Sequence, residues 1–154
     1  MIKTLCNQIK PYLDSKFLMV GLGNILRMDD AAGIILARRL KKSGFCVLEA
    51  GTAFENYLEK IIQKKPQTLF IIDAIDFGGK PGEIKFFSPA DLDIINLGFT
   101  HNPSLCLGIK YLQNELNINI IILAIQPKSI VFKRGLTKPV KKSLDLLESL
   151  FLER

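Results

Sequence analysis

The residues of this chain best suited to chemistry are aspartates that follow apolar stretches, together with one histidine. Asp29 and Asp30 lie just beyond a glycine turn, Asp73 and Asp76 follow the most apolar stretch, and His101 is the only histidine of the chain. Carboxylates and an imidazole with open coordination positions suit a divalent transition metal better than calcium or magnesium, which favour all-oxygen shells. These residue types therefore indicate a site that contacts a transition metal.

Each of these residues also has a purely structural interpretation. Asp29 stands where a helix is predicted to begin, and because aspartate is a preferred N-cap we predict that it caps that helix. Asp30 is equally consistent with capping and with a function. An aspartate at a strand end often accepts backbone N–H bonds in a turn, and a lone histidine is commonly a satisfied polar residue. Spacing alone leaves these alternatives open.

The glycine turn itself resembles a dinucleotide-binding loop only weakly. Gly21 and Gly23 follow a predicted strand from Phe17 to Val20, but the third glycine of that fingerprint would fall where Leu26 stands. A pyrophosphate binds the bare amides of a helix N-terminus, and here it would meet carboxylates instead. We therefore expect this loop to face a cation.

The rest of the chain alternates predicted strands and helices, which indicates a doubly wound sheet. Further strands are predicted over 45–48, 69–72, 83–87 (an edge strand) and 119–124, and helices over 53–64, 103–116 and 138–152, with a short helix or ordered loop over 88–97. If the strand order includes 2-1-3, the first and third strands are neighbours. Asp30 then meets Asp73 or Asp76 at the rim formed by the carboxyl ends of these strands, and His101 can complete the set.

Length and composition bound the remaining possibilities. The 154 residues are 48% hydrophobic, which predicts one domain over 1–154. No leader segment is evident and the apolar run near 118–125 is too short for a bilayer, so we expect a soluble cytoplasmic protein without a membrane partner. The net charge of +6 is carried by dispersed lysines, so we expect no nucleic-acid partner. The cysteines lack the spacing of a disulfide framework or a zinc site; they are Cys6, Cys46 and Cys106.

An ordered set of motifs between Phe17 and Leu150 resembles the [NiFe]-hydrogenase maturation proteases, and in particular the endopeptidase for the formate-hydrogenlyase-type hydrogenase. Residues 1–16 lie outside the resemblance and receive no role. The motifs are Gly21 to Leu26 with Asp29, Asp30 and Gly33; Gly51 to Asn56; Asp73 to Asp76 with Pro81 to Ile84; Thr100 to Asn102; and Ile125 to Pro127.

This resemblance implies a three-layer α/β/α sandwich with a mostly parallel five-stranded twisted sheet and one antiparallel edge strand. It also implies an endopeptidase, of the aspartic type by family grouping, that removes a C-terminal peptide from the hydrogenase large-subunit precursor after nickel insertion. Asp30 and Asp73 fall on the catalytic positions and, with His101, on the nickel-contacting ones, so the resemblance selects Asp73 over Asp76. The nickel is carried by the precursor and is not necessarily bound by the free protein. Met28 and Ala31 replace glycines of the commoner pattern.

Two other functions compete with this one. A peptidyl-tRNA hydrolase also opens with a strand and G-L-G-N and would suit a basic protein, but here no proline follows Asn24, and that family lacks the acidic pair. A non-catalytic nickel-binding or hydrogenase-assembly factor would use the same ligands. For a protease, the water could be activated by metal polarisation of the scissile carbonyl or by an aspartate acting as general base.

Overall fold

The computed structural model describes residues 2–92 and 104–153. Its strands are β1 (Phe17–Leu22), β2 (Val47–Gly51), β3 (Thr68–Ala74), β4 (Ile84–Phe87) and β5 (Asn119–Ile125). Its helices are α1 (Ile2–Leu13), α2 (Ala32–Lys42), α3 (Leu58–Lys64), α4 (Leu105–Glu115) and α5 (Lys138–Leu152), with 3-10 turns at Met28–Ala31, Phe54–Tyr57 and Pro89–Asp91. Across this part of the chain, none of the helices combines the length and apolarity needed to cross a bilayer.

The five strands form one sheet in the order β2-β1-β3-β5-β4, parallel except for β4, which runs antiparallel to β5. This confirms the expected 2-1-3 neighbourhood and the antiparallel edge strand. Every residue of β3 is buried, as expected for a central strand covered on both faces. The sheet therefore brings the carboxyl ends of β1 and β3 side by side.

Helices cover both faces of the sheet and complete three layers. Alternate strand residues point to opposite faces, so Met19 and Phe70 pack with α1, α2 and α5, whereas Leu18 and Ile71 pack with α3 and α4. Both clusters consist mainly of fully buried aliphatic and aromatic side chains. The structure thus confirms the three-layer α/β/α sandwich.

The N-terminal segment forms a helix that the sequence analysis did not predict. Leu5 and Ile9 of α1 are buried in the same core cluster as α5. This helix belongs to the packed fold, although its sequence lies outside the motifs that carry the family resemblance.

Two predicted elements start or continue differently from expectation. The strand predicted from Phe45 begins at Val47, because the Phe45 N–H donates to the Leu40 carbonyl at the end of α2 and is not available to the ladder. The single helix predicted over 53–64 is a 3-10 turn followed by α3. The Glu55 carboxylate of this 3-10 turn accepts a 2.7 Å hydrogen bond from the hydroxyl of Ser104, the N-cap residue of α4.

Other local predictions match the structure. The closing helix spans Lys138–Leu152 as expected. Ser88 caps the 3-10 turn that begins at Pro89, with Asp91 completing a capping box. Residues 93–103, which include the rest of the predicted 88–97 element and the predicted start of the 103–116 helix, lie outside the described residues.

Candidate active site

The N-terminal end of α2 rests directly on the carboxyl ends of β1 and β3. A Cβ added to Gly33 would lie 2.3 Å from the Leu22 carbonyl oxygen and 2.2 Å from that of Ile72, so only glycine permits this approach. Because Asp30 precedes Gly33 by one helical turn, this contact fixes Asp30 at the rim of the sheet. The same contact brings it next to the end of β3, which carries Asp73.

The loop after β1 folds back over Asp30 and holds its carboxylate. Gly23 has φ +128°, and a Cβ there would lie 1.8 Å from the Asp30 carbonyl oxygen. The Asn24 N–H donates a 3.0 Å hydrogen bond to Asp30 Oδ2. The side chain of Asp30 is 5% exposed and stands in the 3-10 turn that leads into α2, where the positive end of the helix dipole favours a carboxylate.

Asp29 does not cap the helix, and that prediction is wrong. Its side chain turns away from α2 and accepts four hydrogen bonds from a later segment, residues 128–137, which we call the strap. The donors are the Lys128 N–H at 2.9 Å, the Ser129 N–H at 3.1 Å, the Thr137 N–H at 2.8 Å and the Thr137 hydroxyl at 2.7 Å. Asp29 is fully buried, so its carboxylate exchanges water for these donors. Its role in the structure is to anchor the strap.

Asp73 lies at the end of β3 and is 4% exposed. Burial raises the pKa of Asp73 well above its usual value, and the nearby charge of Asp30 raises it further, while a hydrogen bond from the Ala74 backbone lowers it. The 3-10 turn that carries Asp30 contacts β3, so the structure places Asp30 beside the strand that carries Asp73. Two carboxylates that repel one another in a buried position match the chemistry of a site for a cation.

Asp76, the alternative to Asp73, organises a turn instead. Its side chain is directed into local structure, since Asp76 Oδ1 accepts hydrogen bonds from the Gly78 N–H and from the Gln126 amide, both at 3.0 Å. The same Gln126, which is 6% exposed, accepts from the N–H groups of Phe77 and Gly79. Gln126 therefore shapes the loop after β3, a role that its sequence context did not reveal.

The third expected contact, His101, lies outside the described residues. Within residues 2–92 and 104–153, no group of three histidine, cysteine, aspartate or glutamate side chains is placed to hold a metal ion. Asp30 and Asp73 are the two described members of the predicted set, so a third donor has to come from elsewhere. Whether His101 supplies it stays a prediction.

The two departures from the glycine-rich pattern leave the loop well formed. Met28 has φ +43°, in the left-handed region that glycine favours, and its N–H donates to the Lys133 carbonyl at 2.8 Å. Ala31 has an ordinary right-handed conformation, with φ −79°. The backbone bond from Met28 to the strap accompanies this unusual conformation, so the loop keeps its shape without glycine.

Glu49 of β2, whose place at the end of the second strand a ribose-binding acid would take in a dinucleotide site, is paired with Arg38 of α2. Both residues line a shallow cleft of about 240 Å³ beside Gly23 and Gly51, at the ends of β1 and β2. The pairing leaves the Glu49 carboxylate neutralised by a neighbouring cation. This arrangement gives no support to a dinucleotide site.

Comparison with known proteins identifies the family. The model of the hydrogenase maturation protease family matches residues 34–154. Hydrogenase 3 maturation protease from Escherichia coli strain K12 is 34% identical to this chain over 127 residues, which are 80% of this chain and 81% of that protein. Because these matches are to proteases, they decide between the two enzyme classes weighed from the sequence.

Solved structures give the same result. The crystal structure of the [NiFe] hydrogenase maturation protease HycI from Thermococcus kodakarensis has a TM-score of 0.81 at 27% identity and covers 97% of each chain. The residues of this chain that the match leaves uncovered are fewer than the 12 residues of α1, so the structural similarity extends into the N-terminal helix. The solution structure of the endopeptidase HycI from Escherichia coli has a TM-score of 0.78 at 31% identity, over 87% of each chain. The chain is therefore an endopeptidase of the hydrogenase maturation protease family.

Proposed function

We propose that this endopeptidase removes a C-terminal segment from the large-subunit precursor of a [NiFe] hydrogenase, and that it acts once nickel is bound in that precursor. Asp30 and Asp73 contact the nickel from the protease side, and His101 is the third contact. The observation that carries the proposal is the pair of buried carboxylates at adjacent strand ends, whose mutual repulsion contributes to the raised pKa of Asp73. A cation shared between the two would relieve that repulsion.

The hydrogen bonds of the site support an external ligand. Within the described residues, Asp29 accepts four hydrogen bonds, whereas Asp30 accepts one from Asn24 and Asp73 one from Ala74. A carboxylate oxygen has two lone pairs, so Asp30 and Asp73 retain accepting capacity. Buried polar groups with spare capacity are costly unless a ligand completes them. The nickel of the precursor is a ligand of the required charge.

The donor set also fits the metal. Imidazole and carboxylate oxygen both bind Ni²⁺, and in the divalent series only Cu²⁺ is bound more tightly by most such sites. In this proposal thiolates of the precursor hold the nickel and the protease adds further contacts, so the metal is recognised and not removed. Activation of the attacking water, by the metal or by an aspartate, is a separate step on which the recognition does not depend.

The test mixes the purified protein with nickel-loaded and nickel-free precursor and follows C-terminal shortening by mass spectrometry. We expect only the loaded precursor to be cut. Asp30→Asn and Asp73→Asn should each lower the cleavage rate at least about a hundredfold, since each removes one charged contact of the recognition site. Asp145→Asn is the matched control and should cut like the wild type, because Asp145 is exposed and pairs with Arg39 on the surface.

Three outcomes bear directly on this proposal. Equal cutting of both precursors would remove nickel from the recognition step. Unchanged cutting by Asp30→Asn and Asp73→Asn would remove these residues from the site, whereas absence of cutting by the wild type would favour the assembly-factor function. His101→Ala tests the third contact, and full activity of this variant would show that another donor takes its place. The expected cytoplasmic location stays a prediction.

A further inference from the structure

The strap exposes two large apolar side chains next to the candidate active site. Val131 is 59% exposed and Phe132 is 76% exposed, the highest value among the large hydrophobic side chains that the structure describes. Exposed apolar groups that lie together and are rimmed by polar residues mark interaction surfaces more often than isolated ones do. Val131 and Phe132 are adjacent in the chain, so together they are a candidate interaction surface.

The backbone that presents these side chains is held at both ends. Asp29 binds Lys128 and Ser129 at the start of the strap and Thr137 at its end. Between them, Arg27 Nε donates to the Ile130 carbonyl at 3.1 Å. The exposed pair thus lies on a segment with fixed ends, so binding to it requires little ordering of the backbone.

The strap is also tied to the loop that carries Asp30. The Met28 N–H donates to the Lys133 carbonyl at 2.8 Å, and the Asp29 N–H donates to the Ser129 carbonyl at 3.1 Å. The two donors, Met28 and Asp29, directly precede Asp30 in the chain. A partner that contacts the exposed pair would therefore be placed next to the carboxylate pair.

The charged residues of the strap itself and of the start of α5 are all basic. The strap and the first five residues of α5 contain no aspartate or glutamate, and their basic residues are Lys128, Lys133, Arg134, Lys138, Lys141 and Lys142. Within residues 2–92 and 104–153, the basic partners of the ion pairs are Arg38 and Arg39. The strap cations are therefore available to a partner.

We propose that Val131 and Phe132, with Lys133 and Arg134, form a docking surface for the hydrogenase precursor, and that the segment they bind carries apolar side chains flanked by acidic ones. This inference rests on the proposed function and deepens it. Acidic residues are required by charge complementarity, and an apolar residue is required to cover Phe132. A second copy of this basic chain would bring like charges to the surface and is disfavoured.

The docking surface and the carboxylate pair have separable roles. The surface binds the precursor whether or not nickel is present, whereas Asp30 contributes only when nickel is bound. Loss of the aromatic anchor should therefore weaken binding of both forms of the precursor. Loss of the carboxylate should leave binding of the nickel-free form unchanged.

The experiment measures binding of purified nickel-free precursor by calorimetry and cleavage of nickel-loaded precursor by steady-state kinetics. Phe132→Ser is expected to raise both Kd and KM about tenfold, as truncation of an aromatic anchor does, and to leave kcat unchanged. Lys133→Glu with Arg134→Glu should also raise Kd and reduce its dependence on salt. Asp30→Asn should leave the Kd for nickel-free precursor at its wild-type value.

Matched controls lie at the opposite end of the sheet, where β1 and β3 begin. Leu152 is 51% exposed and follows Phe151, whose ring packs 6.4 Å from that of Phe17 at the start of β1. Leu152→Ser therefore removes an exposed apolar side chain far from the strap. Lys64→Glu reverses a charge at the end of α3. Both controls should keep the wild-type Kd and KM, and thermal unfolding of every variant checks that its fold is intact.

The outcomes separate this proposal from the proposed function. If the wild type cuts nickel-loaded precursor but Phe132→Ser has the same KM as Leu152→Ser, the docking surface is refuted and the proposed function stands. If the wild type does not cut while Phe132→Ser still weakens binding, the proposed function is refuted and the docking surface stands. A dimer in sedimentation velocity that Phe132→Ser abolishes would assign the surface to a second copy and overturn the proposal.

Discussion

Replacing Asp29 by asparagine distinguishes an anchor from a helix cap. Asparagine is as good an N-cap as aspartate, so a capping residue would tolerate this change at almost no cost. As an anchor, Asp29 uses both carboxylate oxygens: Oδ1 accepts from the Thr137 N–H, and Oδ2 accepts from Lys128, Ser129 and the Thr137 hydroxyl. In asparagine one oxygen becomes an NH2 group, so at least one donor of the strap would face another donor.

The magnitude follows from these contacts. A buried hydrogen bond to a charged group is worth about 1.5–3 kcal/mol, and a neutral one about 1 kcal/mol. Asp29→Asn loses one bond outright and weakens the remaining three, while it also removes a buried charge, which offsets part of the loss. We expect the free energy of unfolding to fall by about 2–4 kcal/mol.

The assay is urea unfolding followed by circular dichroism, with hydrogen exchange to locate the change. The amides of Lys128, Ser129 and Thr137 should exchange faster in Asp29→Asn. The exchange rates of the β3 amides should change only by as much as the global free energy of unfolding changes. Asp145→Asn is the control: this exposed residue pairs with Arg39, so its loss should cost less than about 1 kcal/mol. A stability within about 0.5 kcal/mol of the wild type, with unchanged protection of the strap, would refute the anchoring role.

Three further substitutions test the geometry of the site. Asp73→Asn should stabilise the metal-free protein at neutral pH, because the pKa of Asp73 is raised by burial. The wild type should lose about 1.4 kcal/mol per pH unit relative to this variant as the pH rises from the ordinary aspartate pKa towards the raised one, and urea unfolding at pH 4 should bring the two together. Gly33→Ala should cost about 2–4 kcal/mol in the same assay, since its Cβ would lie within 2.3 Å of the carbonyl oxygens of Leu22 and Ile72, and a wild-type midpoint would contradict this packing. Met28→Val should be about 1–2 kcal/mol less stable than Met28→Gly, because a β-branched residue at φ +43° is strained; equal midpoints would show that the loop relaxes.

The parts of the fold that the sequence predicted are those with local signals. The apolar run of β3 and the proline and lysines that open α5 are readable within a few residues, and both elements lie where expected. The neighbouring positions of β1 and β3 entered the sequence analysis as a condition, because right-handed crossovers allow both the 1-2-3 and the 2-1-3 order, and the structure has the second. The sequence could therefore predict that Asp30 meets Asp73 or Asp76 if that order holds, and the choice of Asp73 came from the family resemblance.

The parts that the sequence did not predict depend on distant partners. Asp29 was assigned to the helix because its own neighbours suggested a cap, but the donors it binds lie 99 to 108 positions further along the chain. Glu55 also binds a distant partner, since its carboxylate accepts a hydrogen bond from Ser104 at the start of a later helix. A polar side chain can form hydrogen bonds with several partners, and tertiary packing decides which of them it binds.

The division of labour between Asp29 and Asp30 follows from their hydrogen bonds. Two adjacent buried carboxylates repel one another, so each requires compensation from a different source. Asp29 obtains it from the strap and has no need of an external ligand. Asp30 receives one donor within the described residues, from Asn24, and shares the rim with Asp73, whose pKa is raised first by burial and then by the charge of Asp30. In the proposed function, a cation brought by the precursor would relieve this repulsion, which is why we expect the pair to contact it. The anchoring of the strap by Asp29 and the exposed Phe132 then place the docking surface and the cation contact on one connected loop system.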